Sequence, residues 1–146
     1  MYSLVFSFEE FSICKLSEDE WSSFDLKACG SSFFSISKRE EEISLILESS
    51  FVQKSFSHQD SGWCMFYLKG SFSFDAIAIL APILEKIGAV GVSILALSTF
   101  DTDCVFFKKE SLDKVVSCLK GYYVLEFLDV KSESPKEDLA LCIQNT

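Results

Sequence analysis

The sequence predicts an α+β protein of two related modules, the first shorter than the second. Short apolar segments with the two-residue period of strands alternate with segments whose apolar residues have helical spacing. Hydrophobic residues make up 49% of the 146 positions, whereas proline and glycine account for 2 and 6. This composition excludes disordered and collagen-like chains, and the length is sufficient for a core without metal or disulfides. With 15 phenylalanines, that core is expected to be aromatic.

The first module is predicted over residues 1–61. Its order is strand, helix, strand, strand, over residues 11–16, 17–28, 33–37 and 43–47. Ser17 and Glu20 have the spacing of a capping box at the helix start. The two later strands form a hairpin around a charged turn. The serine-rich residues 49–61 are expected to form a short helix or a turn.

The second module is predicted over residues 62–129, followed by a tail over 130–146 with a loosely docked terminal helix. Its order is strand, helix, strand, strand, helix, strand, over residues 63–68, 77–87, 92–97, 104–107, 112–119 and 122–128. This is the order of a ferredoxin-like βαββαβ sheet packed on two helices. Pro82 removes a hydrogen bond inside the first of these helices, so we expect a kink or a helix entered in two steps.

Charge and hydropathy exclude several partners. The chain has 13 basic and 22 acidic residues, a net charge of −9, which repels nucleic acid and anionic lipid. Residues 87–100, the longest nearly uncharged stretch, are shorter than a membrane span, and no basic region precedes the apolar start. We therefore expect a cytoplasmic protein with neither membrane nor nucleic-acid partners. Its six cysteines are expected to be reduced, because they form no C-x-x-C pair and several lie in apolar runs.

Residues 91–112, GVSILALSTFDTDCVFFKKESL, carry a resemblance to a known family. The glycine, the buried strand, the Ser-Thr-aromatic corner ending in aspartate, the return strand and the helix resemble the tandem ACT-domain proteins. These are the small bacterial type, related to the arginine-sensing animal proteins. Cys104 departs from the pattern, since an aromatic residue is common there. The resemblance extends more weakly to the first module and covers roughly residues 11–125.

The resemblance implies two ACT modules, the first abbreviated, and a non-catalytic regulatory protein that binds a small ligand, an amino acid, at the module interface. A free amino acid needs acceptors for its ammonium and N–H donors for its carboxylate. Aspartates of the corner supply the first, and the turn from Gly70 to Asp75 supplies the second together with an apolar wall. The candidate ligand-binding residues are Asp103, Thr99, Ser98, Phe100, Asp101, Ser71 and Phe72.

Alternatives remain for the same residues. Asp101 and Asp103 have the spacing of a divalent-metal pair or of a solvated turn. Ser98 and Thr99 can contact a ligand or turn the chain, and each phenylalanine can belong to the core. His58, the only histidine, is expected at the surface, and nucleotide and zinc motifs are lacking, so no cofactor is predicted.

Two rival functions follow from these alternatives. The first is a structural dimerisation module with a degenerate pocket. The second is an enzyme that uses the two aspartates with a divalent metal. In the ligand-binding and pairing interpretations alike, a homodimer is expected, because a two-layer module exposes an edge strand.

Overall fold

A computed structural model of the chain describes residues 1–70 and 77–128. Within it the contacts define two compact units. The C-terminal unit comprises residues 1–8 and the described residues from 64 onward, and the insert unit comprises residues 9–63. The predicted tail lies outside the described residues.

The strands of the described residues are β1 (Ser3–Lys15), β2 (Phe34–Arg39), β3 (Glu42–Glu48), β4 (His58–Leu68), β5 (Ile94–Ser98), β6 (Asp103–Lys108) and β7 (Val124–Leu128). The α-helices are α1 (Glu18–Ser23), α2 (Ile77–Ala89) and α3 (Leu112–Leu119). Short 3₁₀ turns lie at Leu26–Cys29, Ser49–Phe51 and Lys109–Ser111.

The C-terminal unit confirms the predicted ferredoxin-like order, since β4, α2, β5, β6, α3 and β7 follow one another. Its strands lie in the order β5, β6, β4, β1, β7. β5 and β6 are antiparallel, with Ile94 opposite Phe107 and Ser98 opposite Asp103. The first residues of β1 pair in parallel with β7, from Ser3 opposite Val124 onward.

Both helices of the C-terminal unit pack on one apolar core. The buried residues are Leu4, Phe6, Cys64, Phe66, Leu68, Leu80, Ile83, Ile87, Val92, Val105, Phe107, Val115, Val116 and Leu119. α2 is continuous through Pro82, so the two-step helix is not observed between Ile77 and Ala89. The carbonyl that loses its partner there belongs to Ala78, an exposed residue near the start of the described helix.

The insert unit overlaps the predicted first module, residues 1–61. Its strands lie in the order β2, β3, β1, β4. Phe11 of β1 lies opposite Glu48, and Phe34 of β2 lies opposite Leu47. A second core holds the unit together; its buried residues are Cys14, Leu16, Cys29, Ile43, Leu45 and Leu47.

The capping box at the start of α1 is confirmed. The Ser17 hydroxyl accepts a hydrogen bond from the Glu20 amide at 3.1 Å, and the Glu20 carboxylate accepts one from the Ser17 amide at 2.9 Å. The predicted helix over 17–28 is nevertheless wrong in its length, because α1 ends at Ser23. Asp25 then caps a separate 3₁₀ turn, accepting from the Lys27 amide at 3.0 Å.

Two strands are longer than predicted. β1 begins at Ser3 rather than at residue 11, and residues 4–6 are buried without alternation, so their pattern does not identify a strand. β4 begins at His58, so the helix or turn expected over 49–61 is confined to the residues before it. Gly62 lies inside β4 with a φ of 86°, a conformation that glycine adopts without ending the strand.

Candidate functional site

The corner between β5 and β6, residues 98–103, holds five of the seven predicted site residues. It is a hairpin loop held by hydrogen bonds between its own residues. The Thr99 amide donates to the Thr102 carbonyl at 2.7 Å, and the Thr102 amide donates to the Thr99 hydroxyl at 3.2 Å. The same hydroxyl donates to the Thr102 carbonyl at 3.0 Å. Thr99 therefore turns the chain, which is one of the two roles predicted for it.

Asp103 is the first residue of β6 and one of the few buried polar residues, with 7% of its surface exposed. Its Oδ1 accepts a hydrogen bond from the Ser98 hydroxyl at 2.5 Å. Burying a carboxylate is unfavourable unless hydrogen bonds compensate for the lost water. Ser98 supplies one such bond and orients the carboxylate at this end of the hairpin.

Thr102 connects the corner to a second loop. Its hydroxyl donates to the carbonyl of Leu68, the last residue of β4, at 2.7 Å. Leu68 lies three positions before Ser71; Ser71 and Phe72, the other two predicted site residues, lie outside the described residues. The hydrogen bond fixes the corner against the C-terminal end of β4.

Asp101 and Phe100 differ from Asp103 in exposure. Phe100 is 82% exposed, and Asp101 is exposed as well. Among the described residues, no group of three or more histidine, cysteine or acidic side chains could hold a metal ion.

Burial raises the thiol pKa of four described cysteines, Cys14, Cys29, Cys104 and Cys118. Cys14, Cys29, Cys64 and Cys104 are buried, Cys118 is partly buried, and none of the five forms a disulfide. Burial raises the pKa of Cys104 to about 11, and the neighbouring Asp103 raises it further. Burial likewise raises the pKa of Cys14 to about 11. These groups stay protonated at neutral pH, whereas nucleophilic catalysis requires a thiolate.

Sequence reasoning missed Thr102, although it lies between two predicted site residues. Its role depends on a contact with Leu68, 34 positions earlier, and no local pattern reports such a contact. The turn itself was recognisable from its run of serine, threonine and aspartate.

A family model described as an ACT domain matches residues 59–121. A search of curated proteins finds no match. None of the described helices has the length and apolar character needed to cross a membrane.

Solved structures show the same fold. A protein from Agobacterium tumefaciens superposes with a TM-score of 0.75 and 24% identity, over 91% of this chain and 98% of that one. A protein of unknown function and possible transport protein from Vibrio cholerae gives 0.62 and 16%, over 80% and 85%. The ligand-free regulatory subunit of aspartate kinase from Thermus thermophilus gives 0.57 and 8%, over 80% and 92%.

Proposed function

We propose that this protein, whose residues 59–121 match an ACT-domain model, is a non-catalytic regulator that binds a free amino acid. ACT domains are regulatory modules, and one structural neighbour is the regulatory subunit of an amino-acid kinase. The proposal includes a cytoplasmic location, which is supported by the buried thiols of Cys14, Cys29 and Cys104, since none of these three forms a disulfide.

The hydrogen bond between Thr102 and Leu68 is the observation that carries this proposal. It holds the corner that contains the oriented carboxylate of Asp103 against the C-terminal end of β4. In this proposal Asp103 accepts from the ammonium of the ligand. Ser98 and Thr99 hold the corner, Phe100 supplies apolar contact, and the segment that contains Ser71 and Phe72 binds the ligand carboxylate. Asp101 is a peripheral contact.

A thermal-shift screen of the proteinogenic amino acids tests the proposal. A ligand that binds only the folded protein raises the melting temperature with concentration. We expect one amino acid or a chemically related group of them to do so. If none stabilises the protein at millimolar concentration, amino-acid binding is wrong.

The second candidate function, a pairing module, is favoured by the sequence of β5. β5 is the last strand at one side of the described sheet, so it is an edge strand. Its residues, Ile94–Ser98, include no charged side chain. Natural edge strands commonly carry charges that prevent pairing. We propose that the protein is a homodimer paired through β5, an arrangement compatible with ligand binding.

A further inference from the structure

The insert unit contains a cleft between α1 with its following 3₁₀ turn and the segment of residues 51–56. We call it the α1 cleft. Its volume is about 490 Å³, within the range of roughly 300–1,000 Å³ that small-ligand pockets occupy. Every residue that lines it belongs to the insert unit.

The cleft lies where the abbreviated module lacks a helix. In the C-terminal unit, α3 follows the hairpin of β5 and β6. In the insert unit, the hairpin of β2 and β3 is followed by the short turn Ser49–Phe51 and then by irregular chain up to β4. An irregular segment covers less apolar surface than an amphipathic helix does, so the side of α1 that faces this segment borders open space.

Hydrogen bonds fix the two walls of the cleft. Glu20 of α1 accepts from the Ser57 amide at 2.9 Å and from the Ser57 hydroxyl at 2.8 Å. The rings of Phe24 and Phe56 meet edge to face, with centroids 5.7 Å apart. The Phe56 amide donates to the Gln59 side chain at 3.1 Å. The cleft is therefore formed before any ligand enters it.

Its lining combines an apolar wall with a negative rim. Phe24, Phe51 and Phe56 are half-buried and form the wall. Three carboxylates, those of Asp19, Glu20 and Asp25, and one cation, Lys54, also line the cleft. Hydrogen bonds from Ser17 and Ser57 lower the pKa of Glu20 to about 2, so its charge is present at neutral pH.

We propose that the α1 cleft binds a small organic cation, with its ammonium at the carboxylate rim and its aromatic or branched apolar body against the phenylalanine rings. Opposite charge at the rim attracts the ammonium, and the rings can hold the apolar body by edge-to-face contact. This site is separate from the β5–β6 corner and does not depend on the proposed amino-acid site.

Phenethylammonium is a suitable probe, with 2-phenylethanol and 3-phenylpropionate as its neutral and anionic counterparts. Binding is followed by NMR shifts of the insert-unit amides during titration of the full chain. We expect phenethylammonium to shift the amides of residues 19–28 and 51–57. The alcohol should bind more weakly and the anion not at all.

Matched variants test where the ammonium group of the probe binds. Asp19→Asn and Glu18→Gln each remove one acid from the same turn of α1, but only Asp19 lines the cleft. Asp19 is exposed, so its loss should weaken binding by about two- to fivefold, while Glu18→Gln changes little. Ala28→Trp places a large side chain in the cleft and should abolish binding. Asp103→Asn should leave probe binding unchanged.

The proposal is wrong if phenethylammonium causes no shifts at millimolar concentration. It is equally wrong if the alcohol binds as tightly as the amine, or if Asp19→Asn and Glu18→Gln weaken binding to the same extent. Because Ala28→Trp can perturb the fold, the Asp19 and Glu18 pair decides the outcome when that variant is unstable.

Discussion

Asp103 was identifiable from the sequence as a residue of interest, but its environment was not. The run of serine, threonine and aspartate predicts a turn, and the family resemblance singles out its last aspartate. The register of β5 and β6 then places Asp103 opposite Ser98, where it is buried and hydrogen-bonded. Strand register depends on the pairing of whole strands, which a six-residue motif does not encode.

Thr102 provides a test of the contact between the corner and β4. Thr102→Ala removes the hydroxyl that donates to Leu68, so the free energy of unfolding should fall by about 0.5–1.5 kcal/mol. Thr102→Ser retains the hydroxyl and serves as the control. Urea unfolding of both variants measures the difference. Equal stabilities would show that this hydrogen bond contributes nothing.

Glu20 should make the stability of the insert unit depend on pH. Its pKa in the folded protein is lowered from 4.5 to about 2 by hydrogen bonds from Ser17 and Ser57. A carboxyl whose pKa is lowered on folding stabilises the protein above its unfolded pKa, and this stabilisation is lost as the pH falls toward the folded value. The loss is therefore expected between about pH 4.5 and pH 2.

Glu20→Gln measures that effect. The variant should unfold at lower urea concentration than the parent at pH 7, and the gap should narrow as the pH falls below 4.5. Glu18→Gln, in the same helical turn, serves as the control for helix charge. If the difference in the urea concentration of unfolding between Glu20→Gln and the parent stays constant from pH 7 to pH 2, the lowered pKa of Glu20 is contradicted.

Local sequence patterns predicted the helices and strands of the C-terminal unit well. The apolar run before Gly70 and the helical spacing before Gly88 and Gly121 identify β4, α2 and α3. The register of β5 and β6 agrees with the predicted hairpin. β4 is recognisable as a continuous apolar run that ends before Gly70, and the two helices are recognisable from the spacing of their apolar residues.

Pairing between distant segments was not predictable. Ser3, near the start of the sequence, pairs with Val124, which is far from it along the chain. Residues 4–6 are all buried, so they lack the alternation that identifies a half-buried strand. The contacts consequently group residues 1–8 with the C-terminal unit. The other division of the chain, at 63/64, lies close to the module boundary at 61/62 that the sequence predicts.

Phe6 tests whether the start of β1 belongs to the C-terminal core. Its ring lies 4.9 Å from that of Phe66 and 5.3 Å from that of Phe127, between centroids. Phe6→Ala should lower the free energy of unfolding by about 3–5 kcal/mol. Phe100→Ala, at a site that is 82% exposed, is the matched control and should change it little. Comparable losses in chemical denaturation would contradict this core assignment.

We predict that the protein assembles into a homodimer. The chain should have twice the monomer mass by light scattering at micromolar concentration. Ala96 is an exposed residue of β5, and Ala96→Lys places a charge on that edge, which should shift the protein toward the monomer. Ser37→Lys, on β2 of the insert unit, is the control. A monomeric parent, or a dimer that Ala96→Lys leaves intact, would rule out pairing through β5.

We propose that this chain, whose residues 59–121 match the ACT-domain model, binds a free amino acid through Asp103. Calorimetric titration of the amino acid that gives the largest thermal shift, into the parent, Asp103→Asn and Asp101→Asn, tests it most directly. Loss of a charge-assisted hydrogen bond predicts binding roughly ten- to a hundredfold weaker for Asp103→Asn and nearly unchanged for Asp101→Asn. Equal affinity of the parent and Asp103→Asn, or equal weakening by both substitutions, would contradict it.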